Sequence, residues 1–485
     1  MLHLFYCDKI FNGDYMRKLL KGSFVVLLAT LLCSISFLGG LFFGKYTGAT
    51  TLDKKFAALQ AVHEIMLTDF YFGQNTDEYS QQLIDDAIYG MVSAQGDIHS
   101  EYLSASELAS FTGSLESSFV GIGVTYTVVD DQILVISVIR SSPAEASGVL
   151  AGDIIIAVDG ESIESIGVDN IADRIKGKVG TEVVITVLRG TETLDISIIR
   201  NTISNTVFSE VVDGVGILTL TSFSDGTGKE MKNHLEYFKE HDVTRIIIDL
   251  RDNGGGYAST LNTIASYFLD KGDIVMREFD REGKEIIDTA VGGDKYYYDK
   301  IIILTNGNSA SCSEVFTLAM KENCNAIVVG ETTYGKGVAQ VTRMLLDGSA
   351  IKYTDLIWKS GNGVYVGGVG ITPDYEVKLH DVLYMNYLTV EEGVFYTYDS
   401  VSPAVAQMQS MLDFLGYEVD RVDGYFSQKT KDALISFQKD MQLEVTGALD
   451  ETVASALNSS VVRSWKLETE KYDTQMNYAL DLIKQ

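Results

Sequence analysis

The 485-residue sequence predicts a multidomain α+β protein, and three observations carry that prediction. An uncharged run, Gly22 to Gly44, stands near the N-terminus. Short strands broken by glycine turns fill residues 119–200, and continuous apolar strands then alternate with helices from Val215 to Val377. At roughly 150 residues per domain the length allows about three domains. A composition of 46% hydrophobic and 22% charged residues is that of a folded chain. The formal charge of −29, with Lys9, Arg17, Lys18 and Lys21 crowded at the N-terminus, leaves the remainder still more acidic and excludes nucleic acid as a partner class. Four cysteines without C-x-x-C spacing predict neither a structural metal nor a disulfide framework, and no cofactor motif occurs.

The elements follow in order. Residues 1–21 read as a cytoplasmic N-terminus and 22–44 as a transmembrane helix. Its 23 residues reach about 35 Å, enough to cross a hydrocarbon core of about 30 Å. More positive charge precedes the run than follows it, so the N-terminus is expected inside and the rest of the chain outside, as a single-pass cell-membrane protein with extracellular catalytic domains. A cleaved signal peptide is the competing reading, against which the length of the apolar run counts. Residues 52–118 carry apolar side chains at helical spacing, as in "FAALQAVHEIMLTDFYF" and "LIDDAIYGMV". Residues 119–200 form a β-rich module with "QILVISVI", "DIIIAVDG" and "EVVITVLRG" as its clearest strands. Residues 201–385 hold an α/β core in which "RIIIDL" and "KIIILT" are each followed by a turn and a helix. Residues 402–457 read as a small helical module and 459–485 as a terminal helix.

The chemistry is sought at the two strand-to-helix turns of the core, because ligands bind outside the carboxyl ends of parallel strands. One turn, "DLRDNGGGY", has three consecutive glycines, Gly254 to Gly256, that free backbone amides to approach a ligand. The other, "SASCSEVF" (309–316), contains Ser311 and Glu314 in the S-x-x-E pattern of a capping box. A serine there sits at a helix N-terminus, whose free amides favour an anion. None of the six histidines falls in a suggestive loop of the repeats, so lysine is the alternative base, which requires a site that leaves its amine neutral. Lys336 lies between two glycines in "ETTYGKGVAQ". Alone, such a loop reads as an exposed turn.

Taken together, these residues resemble the carboxyl-terminal processing peptidases, or tail-specific proteases, from about Leu52 to the C-terminus. The family's serine stands in S-A-S-x-S-E, its lysine 25 positions later in a G-K-G turn, and a glutamine four further on; Ser311, Lys336 and Gln340 match that order and spacing. The resemblance implies a ClpP/crotonase-like peptidase core with Ser311 as nucleophile, Lys336 as general base and Gln340 as the residue that orients it. "GDIHSEYL" (96–103) resembles a further family segment and makes His99 structural. "DLRDNGGG" resembles the family's D-L-R-x-N-P-G-G loop without its proline, and implies an oxyanion amide from Gly254 or Gly255, the second coming from Cys312. Cys312 stands where alanine is usual, and reads as a buried filler rather than a second nucleophile.

The module at 119–200 resembles a PDZ domain, with "SFVGIGV" as the loop that takes a terminal carboxylate. This implies peptide binding by Val120, Gly121, Ile122, Gly123 and Val124, and protein or peptide substrates with free C-termini. Residues 402–457 resemble a three-helix peptidoglycan-binding module, and "DTQMNYALDLI" resembles the family's terminal helix, which implies peptidoglycan as a partner and a homodimer. The resulting expectation is a membrane-anchored serine endopeptidase with a Ser–Lys dyad. The alternative, favoured by the missing proline and by Cys312, is a wall-tethered PDZ scaffold whose core is inactive.

Overall fold

The computed structural model describes residues 56–114, 118–129, 132–139, 142–189, 192–204 and 206–485. The expected membrane span, 22–44, lies outside them. Among the described residues no helix is long and apolar enough to cross a membrane.

The chain forms two units, one up to Tyr102 and one from Leu103. The first is a pair of helices, 56–68 and Asp77–Ser93. Thr76 starts the second, its hydroxyl accepting the Tyr79 N–H. His63 joins the two helices, its Nε2 lying 3.0 Å from Ser80 Oγ and 3.2 Å from the Ser80 carbonyl. Between them Leu59, Met66, Leu83 and Met91 line an apolar groove.

In the second unit the β-rich module is an antiparallel sheet ordered Val124–Val129, Gln132–Val138, Ile154–Val158, Glu182–Arg189, Glu192–Ile199. Strand alternation sends Val183, Ile185 and Val187 into its core, where Ile171 and Ile175 of a short helix meet them. Val124–Val129 is an edge strand. The chain enters and leaves this module side by side, through the ladder of Ser118–Gly121 with Asn201–Ser204.

The core is a six-stranded sheet ordered Val207–Val212, Val215–Leu220, Arg245–Asp249, Lys300–Thr305, Ile327–Gly330, Tyr375–Glu376, parallel after its first pair. Its inner strands carry the continuous apolar runs 246–248, 301–304 and 327–329 because both of their faces are covered. Ile246, Ile248, Ile301 and Ile303 pack with Leu235, Leu261 and Phe316 of the helices Thr227–Glu240, Ala258–Ala265 and Cys312–Cys324. On the opposite face Ile247, Ile302 and Leu304 meet Ala479 and Ile483 of the terminal helix Thr474–Lys484. The apolar stripe of that helix is thus buried on its own sheet.

A second, antiparallel sheet contains Ile274–Phe279, Glu285–Thr289, Val338–Met344 and Ala350–Lys359. The helical module consists of Pro403–Phe414, Gln428–Asp440 and Glu451–Leu467, capped by Ser402, Ser427 and Asp450. Two buried glutamines organise it in the same way: Gln409 Oε1 accepts the Gly424 N–H at 3.0 Å and Gln438 Oε1 the Gly447 N–H at 2.9 Å. The matched turns "VDGYFS" and "VTGALD" each end on the cap of the next helix.

Candidate active site

Parallel pairing of Arg245–Asp249 with Lys300–Thr305 brings the two strand-to-helix turns to one edge of the sheet. Hydrogen bonds stitch them together there. Ala310 N–H and Ser313 Oγ donate to the Asn253 carbonyl at 3.0 and 2.8 Å, and Ser309 Oγ donates to the Leu250 carbonyl at 2.8 Å. Ser309 and Ser313 are fully buried in these structural bonds, whereas Ser311 lies between them on a cavity wall. Gly255 is packed so closely that a Cβ there would lie 2.9 Å from the Ser311 Cβ and 3.0 Å from the Cys312 nitrogen. Its φ of +105° is a second reason for glycine.

Ser311 itself has φ 56° and ψ −115°, a conformation rare for a residue with a side chain. The fully buried Glu314, one turn into the helix, holds it there. One carboxylate oxygen of Glu314, Oε2, accepts the Ser311 N–H at 2.9 Å and the Lys336 N–H at 2.8 Å. The other, Oε1, accepts Gly335 N–H at 2.8 Å and Thr333 Oγ1 at 2.6 Å. A single side chain therefore fixes the backbones of the expected nucleophile and base against each other. From the far side the Trp358 indole N–H donates to the Lys336 carbonyl at 2.9 Å.

Ser311, Lys336 and Gln340 line one cavity of about 650 Å³, together with Gly254, Gly255 and Cys312. No histidine lines it. Gln340 lies at a bulge of its strand pair, and its side-chain amide donates to Thr354 Oγ1 at 3.2 Å. The Gly255 amide is already used, donating to Asn253 Oδ1 at 2.9 Å. The amides of Gly254 and Cys312 find no acceptor among the described residues. The Cys312 thiol is buried and donates to the Gly256 carbonyl at 3.3 Å. Burial pushes it up to about 11, opposed by hydrogen bonding with the Gly256 backbone and the Ser311 side chain, so it stays a neutral thiol near pH 7.

Val120 to Val124 lie in the β-rich module, outside the cavity wall. Ile122 and Gly123 form the turn between Ser118–Gly121 and the edge strand, and their amides find no acceptor among the described residues. Their carbonyls are used internally, by Ala144 N–H at 2.8 Å and Ile139 N–H at 2.9 Å.

Sequence reasoning passed over three residues that build this site. Asn253 is fully buried and holds the glycine turn through both ends of its amide, the nitrogen donating to the Leu220 carbonyl at 2.7 Å. Its place in "DLRDNGGG" was the available signal. Glu314 was visible only as half of a capping box. Trp358 had no local signal, since its contact is made by folding a distant strand over Lys336.

Comparison with known proteins adds the following. The family model for Peptidase family S41 matches residues 214–377, that for a PDZ domain residues 120–199 and that for a peptidoglycan binding domain residues 401–457. The chain is 34% identical over 428 residues to the "Probable CtpA-like serine protease" of Staphylococcus epidermidis, covering 88% of this chain and 85% of that one. It is 32% identical over 476 residues to the carboxy-terminal processing protease CtpA of Bacillus subtilis, covering 97% and 99%. Among solved structures it is similar to the photosystem II D1 C-terminal processing protease, at 25% identity and a TM-score of 0.39 over 65% of this chain and 85% of that one.

Proposed function

We propose, from the premise that the chain belongs to peptidase family S41 and is a serine-type carboxy-terminal processing peptidase with PDZ and peptidoglycan-binding-type domains, that it cuts proteins near their C-termini with a Ser311–Lys336 dyad. The observation that carries this reading is Glu314, whose one oxygen holds the amides of both residues. Lys336 takes the Ser311 proton as Oγ attacks the scissile carbonyl carbon, and the negative charge on the carbonyl oxygen is met by the N–H groups of Gly254 and Cys312. The lysine then gives its proton to the leaving amine as the C–N bond breaks, which leaves an acyl-enzyme. Water attacks that ester with Lys336 again as base, releasing the carboxylic acid and restoring Ser311. Gln340 orients the lysine.

The substrate's terminal carboxylate is taken by the open amides of Ile122 and Gly123 in the Val120–Val124 turn, its last residues adding to the edge strand Val124–Val129. Residues 22–44 anchor the chain as a single span with the N-terminus cytoplasmic and the peptidase outside, where residues 402–457 can meet peptidoglycan. The exposed apolar side chains Phe56, Leu59 and Met91 of the first unit support a homodimer. The test is cleavage of unstructured peptides by the full-length chain, by Ser311→Ala and by Lys336→Ala. Both variants should lose at least about a thousandfold in kcat/KM. Equal turnover by all three, or turnover by none, would sink the dyad and leave the inactive scaffold.

A further inference from the structure

The cavity that contains Ser311 and Lys336 also contains a carboxylate with no part in the chemistry proposed above, that of Glu278. Glu278 lies on the strand Ile274–Phe279, directly opposite Trp358 on the antiparallel neighbour. Residues opposite one another in such a pair project from the same face of the sheet. Trp358 is the residue whose indole is bonded to the Lys336 carbonyl, and Met276, two positions before Glu278, lines the same cavity. Glu278 therefore projects into the cleft beside the loop that bears the lysine.

Its carboxylate is unsatisfied. No hydrogen bond or ion pair reaches it among the described residues. The adjacent base, Arg277, is engaged elsewhere, with Glu285 at 2.7 Å and with the Gly361 carbonyl at 2.8 Å. Partial burial pushes the Glu278 carboxyl up, and the carboxylates of Asp288 and Asp355 push it the same way. The protein has thus set an acid in a partly dry cleft near Asp288 and Asp355, and although Lys336 and Lys352 line the same cavity, no ion pair joins either of them to Glu278 among the described residues. A cationic group supplied by the substrate would be the missing partner, and would be worth more there than at an open surface.

We infer that Glu278 is a specificity-determining residue, which makes the site select substrates with a lysine or arginine side chain close to the scissile bond. The inference rests on the peptidase reading and names part of its substrate class. The strongly acidic chain as a whole would also attract cationic peptides, so the test must separate a local partner from the overall field.

The experiment uses the full-length chain and fluorogenic peptides of one sequence with a single position, walked across the three residues on each side of the cleaved bond, occupied by lysine, norleucine or glutamate. At one position lysine should be preferred over norleucine by about tenfold in kcat/KM, and glutamate should be worse than norleucine. In Glu278→Gln that ratio should fall to about one, and in Glu278→Lys it should invert in favour of glutamate. Because ratios within one variant are read, a general loss of activity does not obscure the outcome. If a variant turns over too slowly, the lysine-to-norleucine affinity ratio, measured by anisotropy in a Ser311→Ala background, replaces it. An equal ratio in wild type and Glu278→Gln, or no charge preference at any position, overturns the inference while leaving the peptidase intact. So does an equal fall in Glu282→Gln, an exposed acid on the neighbouring turn, which would assign the preference to the overall field. Absence of all turnover, with wild type no better than Ser311→Ala, removes the peptidase reading and this inference with it.

Discussion

The two turns that meet at the site occupy equivalent places on neighbouring parallel strands, yet each is fixed by a side chain of opposite charge. The glycine turn is anchored by Arg251, whose guanidinium pairs with Asp249 at 2.7 Å and with Asp473 at 2.8 Å and also donates to Gln475 at 3.0 Å. The serine turn is anchored by Glu314, which takes only backbone amides and one hydroxyl. Arg251 thereby ties its turn outward, to the cap of the terminal helix that covers the far face of the sheet. Glu314 ties its turn inward, to the lysine loop. One anchor holds the edge of the domain together, and the other fixes the backbones of Ser311 and Lys336 against each other, so that on the proposed dyad the difference separates stability from catalysis.

Removing either anchor should break this comparison most visibly. Glu314→Ala leaves three amides and the buried Thr333 hydroxyl without their acceptor, and Arg251→Ala leaves Asp249 and Asp473 as buried acids without a counter-charge, each keeping only a backbone N–H donor. Each should cost about 3–5 kcal/mol of unfolding free energy, measured by urea denaturation. Their effects on activity should diverge. Under conditions where both variants are still folded, Arg251→Ala should retain turnover within about tenfold, while Glu314→Ala should lose about a hundredfold or more, because small misplacements of reacting groups are that costly. Equal residual activities would mean that Glu314 is only another structural anchor.

A smaller but sharper test compares adjacent glycines. In Gly255→Ala the new methyl group would lie 2.9 Å from Ser311 Cβ at a φ of +105°, so serine and glycine turns must part. At Gly254 a Cβ meets nothing within 4 Å, and that residue offers only its amide. Peptide cleavage should fall about a hundredfold in Gly255→Ala and stay within a few-fold of wild type in Gly254→Ala, with both proteins checked by thermal melting. The reverse order would show that the seam at Gly255 tolerates a side chain and that the substrate packs against position 254, open though it is in the free chain.

How much of this could be read from the sequence depends on the range of the contact. Strands such as "RIIIDL" and "KIIILT" declare a doubly covered sheet, because Ile246, Ile247 and Ile248 must each find an apolar face. What covers the second face was not legible: "DTQMNYALDLI" reads as an amphipathic helix, and nothing local says that Ala479 and Ile483 lie on Ile302. Ser311 and Lys336 were legible through a family spacing, since a serine cap and a glycine-flanked lysine are commonplace alone. Arg251 and Asp473 are 222 positions apart, and their pairing is a product of the fold. The same holds for Glu278, whose place in the cavity appears only when Trp358 is laid beside it on the neighbouring strand.

The smallest effect concerns Cys312, where the two turns touch, and it tests how dry their junction is. Folding raises the thiol from its ordinary value near 9 to about 11, chiefly by burial. Because the folded state favours the protonated form, the thiol's contribution to stability is complete below pH 9 and is lost as the pH rises from 9 towards 11, amounting to about 3 kcal/mol once that window is passed. Urea midpoints of wild type and Cys312→Ala, compared at pH 8 and pH 10.5, should therefore converge or cross as the wild type loses stability faster. At pH 8 the thiol of the folded protein should also resist iodoacetamide for hours. Parallel pH dependence in the two proteins, or rapid alkylation, would mean that water reaches the seam between the turns, and that the amide of Cys312 faces solvent rather than a cleft prepared for an oxyanion.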